Sequence, residues 1–123
     1  MTAHKRRRAY RRGLRAEALA AWYLRLKGYR IIAERYRTNV GEIDLVALRG
    51  KVVAFVEVKA RDDETTAGEA VTEAGQRRIA RAAAVYLQQH QRLAGFERRF
   101  DVIAILPWRR PRHLTNAFDE PGR

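Results

Sequence analysis

Apolar positions recur along this chain with two different periods, and the places where the period changes mark out its elements. From Leu14 to Lys27 the run LRAEALAAWYLRLK is rich in Ala and Leu and contains no Gly or Pro. It stops at Gly28, a residue suited to ending a helix, so a helix is predicted there, with Trp22 most simply in the core. Residues 29–37, YRIIAERYR, are β-branched and aromatic at both ends and read as a strand. GEIDLVAL and KVVAFVEVK follow, two apolar strands separated by Arg49-Gly50, a workable tight turn, and they should pair as a hairpin. Thr72 can cap a second helix running to about Arg92, with Ile79, Ala83, Tyr86, Leu87 and His90 along one stripe and Gly75 weakening its first turn. RRFDVIAIL then has the pattern of a buried strand that Pro107 ends, and the remaining residues mix turn formers with a few apolar anchors. The order α-β-β-β-α-β predicts an α/β fold, a mixed sheet with helices packed against it.

Length and composition narrow this picture. At 123 residues there is room for one core, so a single domain over residues 13–118 is expected, with a C-terminal tail at 119–123. The opening MTAHKRRRAYRR holds six basic residues, no acids and no apolar periodicity, and reads as a flexible arm over residues 1–12. No apolar run reaches membrane-spanning length and the start lacks a secretory pattern, so a cytoplasmic protein without a membrane partner is expected. The absence of cysteine excludes disulfides, thiolate zinc sites and a cysteine nucleophile, and the histidines at 4, 90 and 113 show no ligand spacing. Any metal must then be held by carboxylates, which favours hard cations such as magnesium or manganese (Mg2+ or Mn2+).

The net charge of +12 is unevenly spread. Residues 1–37 hold twelve Lys and Arg against two acids, whereas residues 38–66 hold four against six. An acidic island thus sits in a basic protein. Such an excess fits a nucleic-acid partner, since cations that neutralise phosphates release counterions, and Lys5, Arg6, Arg7, Arg8, Arg11 and Arg12 are the first candidates. A soluble, Arg-rich protein from an Arg-favouring genome is the plainer alternative.

The island carries the chemistry. Strand alternation puts Val53, Phe55, Glu57 and Lys59 on one face. If Arg49 and Gly50 form a two-residue turn, Leu48 faces Lys51, Asp44 faces Phe55 and Glu42 faces Glu57. Asp44 is then a diagonal neighbour of Glu57, within the span of one metal ion, although a one-residue bulge breaks this count. Carboxylates crowded in this way are destabilising without a cation. With one, they can activate a water and neutralise a phosphodiester in its transition state, while Lys59 orients the water or stabilises the pentavalent phosphate. A simple Glu57–Lys59 ion pair at the end of a sheet is the competing explanation.

GEIDLVA followed by FVEVKAR resembles the YraN-type family of small bacterial proteins, which is similar to restriction-endonuclease-like nucleases and archaeal Holliday-junction resolvases. The resemblance runs from about Gly13 to Phe118, through Gly13-x-x-x-Glu17-x-x-Ala20, Val71-Thr72, Gln76, Arg99-Phe100-Asp101-Val102 and Asn116-Ala117-Phe118. It implies a magnesium- or manganese-dependent endonuclease acting on DNA, branched or flapped DNA among the candidates, with a homodimer as its resolvase-like assembly. The implied catalytic set is Asp44, Glu57 and Lys59, and the implied metal ligands are Glu17, Asp44 and Glu57. Ile43 replaces the family pattern's Pro, and Gly75 stands where a phosphate-binding Lys is expected.

Other residues admit two readings each. Glu17 is either a ligand or a helix-edge acid paired with Arg15 or Arg25. Glu42 is a secondary ligand or a strand-end charge, Gln76 a contact to the metal's water or an early-turn polar residue, and Arg61 a phosphate contact or a partner of Asp62 or Asp63. Asp101 is expected to anchor Arg98 or Arg99. Trp108, beside Arg109, Arg110 and Arg112, can stack on a base or simply sit in a surface turn. A non-catalytic nucleic-acid-binding module on the same fold is the rival function; a protein adaptor leaves the acids unexplained.

Overall fold

A computed structural model describes residues 2–62 and 71–120, excepting the side chains of residues 8, 9 and 12. The elements are α1 (Ala3–Leu26), β1 (Arg30–Arg37), β2 (Glu42–Arg49), β3 (Val52–Ala60), α2 (Glu73–Gln89), a 3-10 turn (Gln91–Leu93), β4 (Glu97–Ile105) and β5 (Arg112–Leu114). They build a mixed α/β fold whose single sheet has the order β1-β2-β3-β4-β5. The β1–β2 and β2–β3 pairs are antiparallel, β3 and β4 are parallel, and β5 adds antiparallel to β4. A parallel pair needs a crossover, and α2 lies in it. The short β5 went unexpected because three residues between turn formers carry no readable alternation.

Each helix covers one face. Ala20, Ala21 and Leu24 of α1 pack on Leu45, Ala47, Ala54 and Val56, while Ile79, Ala83 and Tyr86 of α2 pack on Val46, Val53, Phe55 and Phe100. Burying a side chain as fully as Phe55 contributes on the order of 2 kcal/mol, so the central strands anchor everything attached to them. The turn before β2 is pressed against α2: a Cβ on Gly41 would stand 1.9 Å from the Arg78 carbonyl oxygen, so no larger residue fits.

Two expectations are corrected at the N-terminus. Residues 3–12, read as an arm, are helical and continuous with the predicted helix. Ala, Arg and Lys are strong helix formers, Thr2 Oγ1 accepts from the Lys5 N–H at 3.2 Å, and extending an existing helix carries no nucleation cost. The Arg35 guanidinium, 5.2 Å from the Tyr10 ring, further ties this half of α1 to β1. Trp22 is not in the core but 63% exposed on the outer side of α1. The acidic loop expected after β3 lies, from residue 63, outside the described residues.

Candidate active site

The hairpin register decides the site. The ladder pairs Arg49 with Val52, Leu48 with Val53 and finally Leu45 with Val56, so the turn residues are Gly50 and Lys51. Gly50 has φ 59°, the positive value that the primed hairpin turns require at their first position, and Arg49 stays in the strand. Relative to the expected pairing of Leu48 with Lys51, the partner strand is displaced by two residues. A two-residue displacement keeps every side chain on its own face but moves neighbours along it. The positions next outward from Leu45 and Val56 are therefore Asp44 and Glu57, across from one another rather than diagonal.

Beyond that last pair the backbone ladder gives way to a side chain. The Val58 N–H donates to Asp44 Oδ2 at 2.8 Å, so the carboxylate occupies the place of a strand carbonyl. Alternation in β2 breaks here: Ile43 and Val46 both pack on the α2 side, with Leu45 and Ala47 on the α1 side. Asp44 is thereby held at the edge of the hairpin, where acids from both faces feel its charge. By alternation from Val53 and Phe55, Glu57 and Lys59 lie on the α2 face. Lys59 Nζ is 3.6 Å from Glu57 Oε1.

The electrostatics follow from this crowding. Burial pushes the Glu57 carboxyl up to about 7, helped by the neighbouring Asp44 charge and opposed by Lys59. Burial raises Asp44 too, against the hydrogen bonds from the Val58 N–H and from Glu57. A proton on Glu57, donated toward Asp44, thus substitutes for a cation between the two carboxylates. Lys59 thus faces two acids, of which it pairs with Glu57.

The other predicted residues separate. Glu17 sits on α1, which covers the opposite face, and pairs with Arg35 at 3.4 Å rather than with Arg15 or Arg25. Burial raises its pKa, with the Asp44 charge adding and Arg35 opposing. Glu42 is at the rim of the cleft over Glu57 and Lys59, 2.6 Å from Arg37 Nη1 and 4.0 Å from Arg78 Nη2. Gln76 Nε2 donates to the Val71 carbonyl at 2.9 Å and closes the start of α2. Among the described residues, no three His, Asp or Glu side chains converge as a ready metal cage; Asp44 and Glu57 meet, and Glu17 stays on Arg35.

A cleft of about 310 Å³ opens over Glu57 and Lys59, lined also by Glu42, Arg61, Arg78 and Thr72. Arg78 was missed in the sequence, where Gly75 reads only as a lost cation. It lies three positions later, on the same side of α2, so helical spacing alone would have located it. A Cβ at Gly75 would stand 3.0 Å from Val71 Cγ1 and 3.1 Å from Thr72 Oγ1, which disfavours a long side chain there. Of the basic candidates on the first turns of α1, Lys5, Arg6, Arg7 and Arg11 are exposed, and the Arg8 and Arg12 side chains lie outside the described residues.

A pH-dependent stability follows. Glu57 titrates at about 7 in the folded chain against an ordinary 4.5, so the folded state binds more protons between those values. Metal-free stability should therefore fall as pH rises from about 4.5 through 7, by about 3 kcal/mol, with Asp44 acting in the same direction. Glu57→Gln should flatten this dependence and melt at or above the parent at pH 8. A dominant ion pair with Lys59 forecasts the reverse, since Glu57→Gln would then strand the lysine; melting curves across this pH range separate the two.

Comparison with known proteins places the sequence clearly. Residues 16–105 match the model of the uncharacterised protein family UPF0102. A UPF0102 protein of Mesorhizobium japonicum is 53% identical over 113 residues, covering 92% of this chain and 90% of its own. UPF0102 proteins of Bartonella bacilliformis and Parvibaculum lavamentivorans are 50% and 54% identical, over 93% and 89% of this chain and 93% and 83% of theirs. Among the described residues, no helix is long and apolar enough to cross a membrane.

Proposed function

Given that this chain belongs to the UPF0102 (YraN) family, we propose that it is a divalent-metal-dependent nuclease that hydrolyses phosphodiester bonds in DNA. The observation that carries this reading is the pair of half-buried carboxylates, Asp44 and Glu57, held together beside Lys59 at the mouth of a cleft that also presents Arg61 and Arg78 to an incoming strand. The donor set fits magnesium or manganese. It consists of carboxylate oxygens, and both acids are raised by burial, so their charge would be offset by a bound cation.

Asp44 and Glu57 would hold the ion, which when bound supplies Lewis acidity toward the phosphodiester and an acidified water. Each protein group then has a separate task. The Val58 N–H fixes Asp44, so that carboxylate needs no reorganisation as substrate arrives. Lys59 donates toward a nonbridging oxygen as water adds to phosphorus and the sugar oxygen departs. Arg61 and Arg78 hold phosphates of the strand. Glu17, whose carboxyl is raised by burial and then by the Asp44 charge, remains tied to Arg35.

A panel of linear, flapped, single-stranded and four-way DNA in magnesium or manganese tests the activity directly. Absence of any cleavage, together with no rise in melting temperature on adding either metal, overturns the reading and leaves a basic binding domain. Binding has its own signature. Affinity for DNA should fall steeply with salt, and replacing Lys5, Arg6, Arg7 and Arg11 with Gln should lower the slope of log affinity against log salt by roughly one for each phosphate that is no longer neutralised. An unchanged slope removes the first turns of α1 from the interface.

A further inference from the structure

A second cleft, of about 480 Å³, lies on the α1 side of the sheet, where β3 and β4 end, and none of the acids lines it. Leu19 of α1 with Leu106, Pro107 and Trp108 gives it apolar walls, and Arg15 and Arg61 give it charge. Its volume falls within the range of about 300–1,000 Å³ typical of small-ligand sites. Two features of Trp108 stand out. Its indole is fully exposed, so it contributes nothing to the core, and its backbone has φ 59°, a left-handed value uncommon for a bulky residue. A strained position that displays an aromatic ring to solvent points to a ligand for that ring.

Arg61 decides what kind of ligand. It lines this cleft and also the acidic cleft with Glu57 and Lys59, so a chain passing the acids passes Arg61 on its way to Trp108. The extended strand of a polyanion with flat aromatic groups fits that layout, because Arg pairs with phosphate and Trp stacks on any base. Resting on the nuclease reading above, we infer that this cleft is a nucleobase subsite: it takes one unpaired base, stacked on Trp108, while Arg15 and Arg61 hold the neighbouring phosphates. A paired base cannot enter without leaving its stack, so the preferred substrate carries unpaired nucleotides next to the bond that is cut.

Binding to a short thymidine strand and to an equally charged strand of abasic units, measured by fluorescence anisotropy in EDTA, tests this without turnover. The parent should prefer the thymidine strand roughly tenfold or more, the effect of one stacked base. Trp108→Ala should abolish the preference, Trp108→Phe should keep most of it, and Trp22→Ala should leave it intact. As Trp108 is fully exposed, its variants should melt with the parent. Equal affinity of the parent for both strands, or a preference that survives Trp108→Ala, overturns the subsite and spares the nuclease reading. A dimer in sedimentation that dissolves on Trp108→Ala also overturns it, by making a second copy the occupant. Failure to bind either strand likewise overturns the subsite, while the nuclease reading is decided by the DNA cleavage panel.

Discussion

Asp44→Asn and Glu57→Gln should each reduce DNA cleavage by about 10³-fold or more, while DNA binding stays unchanged or tightens. Both effects have one cause. In the proposed mechanism each carboxylate would hold the cation, so losing either would remove both the Lewis acid and the acidified water. Each also places negative charge in the path of the phosphates, so neutralising it removes repulsion from the bound complex. Stability should move with binding rather than with activity. In the metal-free protein burial, and after it the neighbouring Asp44 charge, pushes the Glu57 carboxyl up to about 7, and the amide relieves both costs. Magnesium should raise the parent's melting temperature more than that of either variant. Cleavage that survives Asp44→Asn with magnesium dependence intact would place the metal elsewhere and remove this pair from the mechanism.

Asp101→Ala should be the most damaging single change to stability, costing about 3–5 kcal/mol and lowering the melting temperature by roughly ten degrees or more. Asp101 is wholly buried, and all of its acceptor capacity is used. Oδ1 accepts from Arg99 Nε at 2.8 Å and from the Asn116 N–H at 2.9 Å. Oδ2 accepts from Arg99 Nη2 and from His113 Nε2, each at 2.8 Å. With Nε2 donating, His113 Nδ1 is left to accept from Lys27 Nζ at 2.6 Å, so the network reaches from β4 through β5 to the end of α1. Burial alone would raise this carboxyl, but His113, Arg99 and the Asn116 N–H outweigh it and hold it low. Removing the acid leaves a guanidinium and an imidazole half-buried without their anion, whereas Arg99→Ala leaves the anion instead. The two changes should be strongly non-additive in a double-mutant cycle, because either one breaks the same network. Additive losses would show that Asp101 and Arg99 stabilise the fold independently.

The sequence was informative where the governing physics is local. Alternation in KVVAFVEVK placed Glu57 and Lys59 on one face with Val53 and Phe55, and the cleft that Glu57 and Lys59 share with Ile79 of α2 bears that out. Thr72 was read as the cap of α2, and its Oγ1 accepts from the Gly75 N–H at 3.1 Å. The expected pairing of Asp101 with Arg99 is present as well. Where charge was read without propensity the reading failed, as in the helical residues 3–12. Of the two readings open for Gln76, the early-turn polar residue has a contact in the structure, its amide donating to the Val71 carbonyl.

The sequence by itself determined the four long strands, α2, the second half of α1 and the shared face of Glu57 and Lys59, because those follow from bonds and contacts between residues a few positions apart. The tertiary structure alone decided the rest. The turn shifted by one position onto Gly50 and Lys51, because Gly50 can take the positive φ, and this brought Asp44 across from Glu57. Glu17 went to Arg35 because the bulge in β1 and the course of α1 set which cation is nearest. The Asp101 network joins Lys27, Tyr29, Arg99, His113 and Asn116, residues far apart along the chain that meet only once five strands lie in order. Contacts of that range leave no periodic trace in a sequence, since their partners are selected by the packing of whole elements and not by the spacing of neighbours.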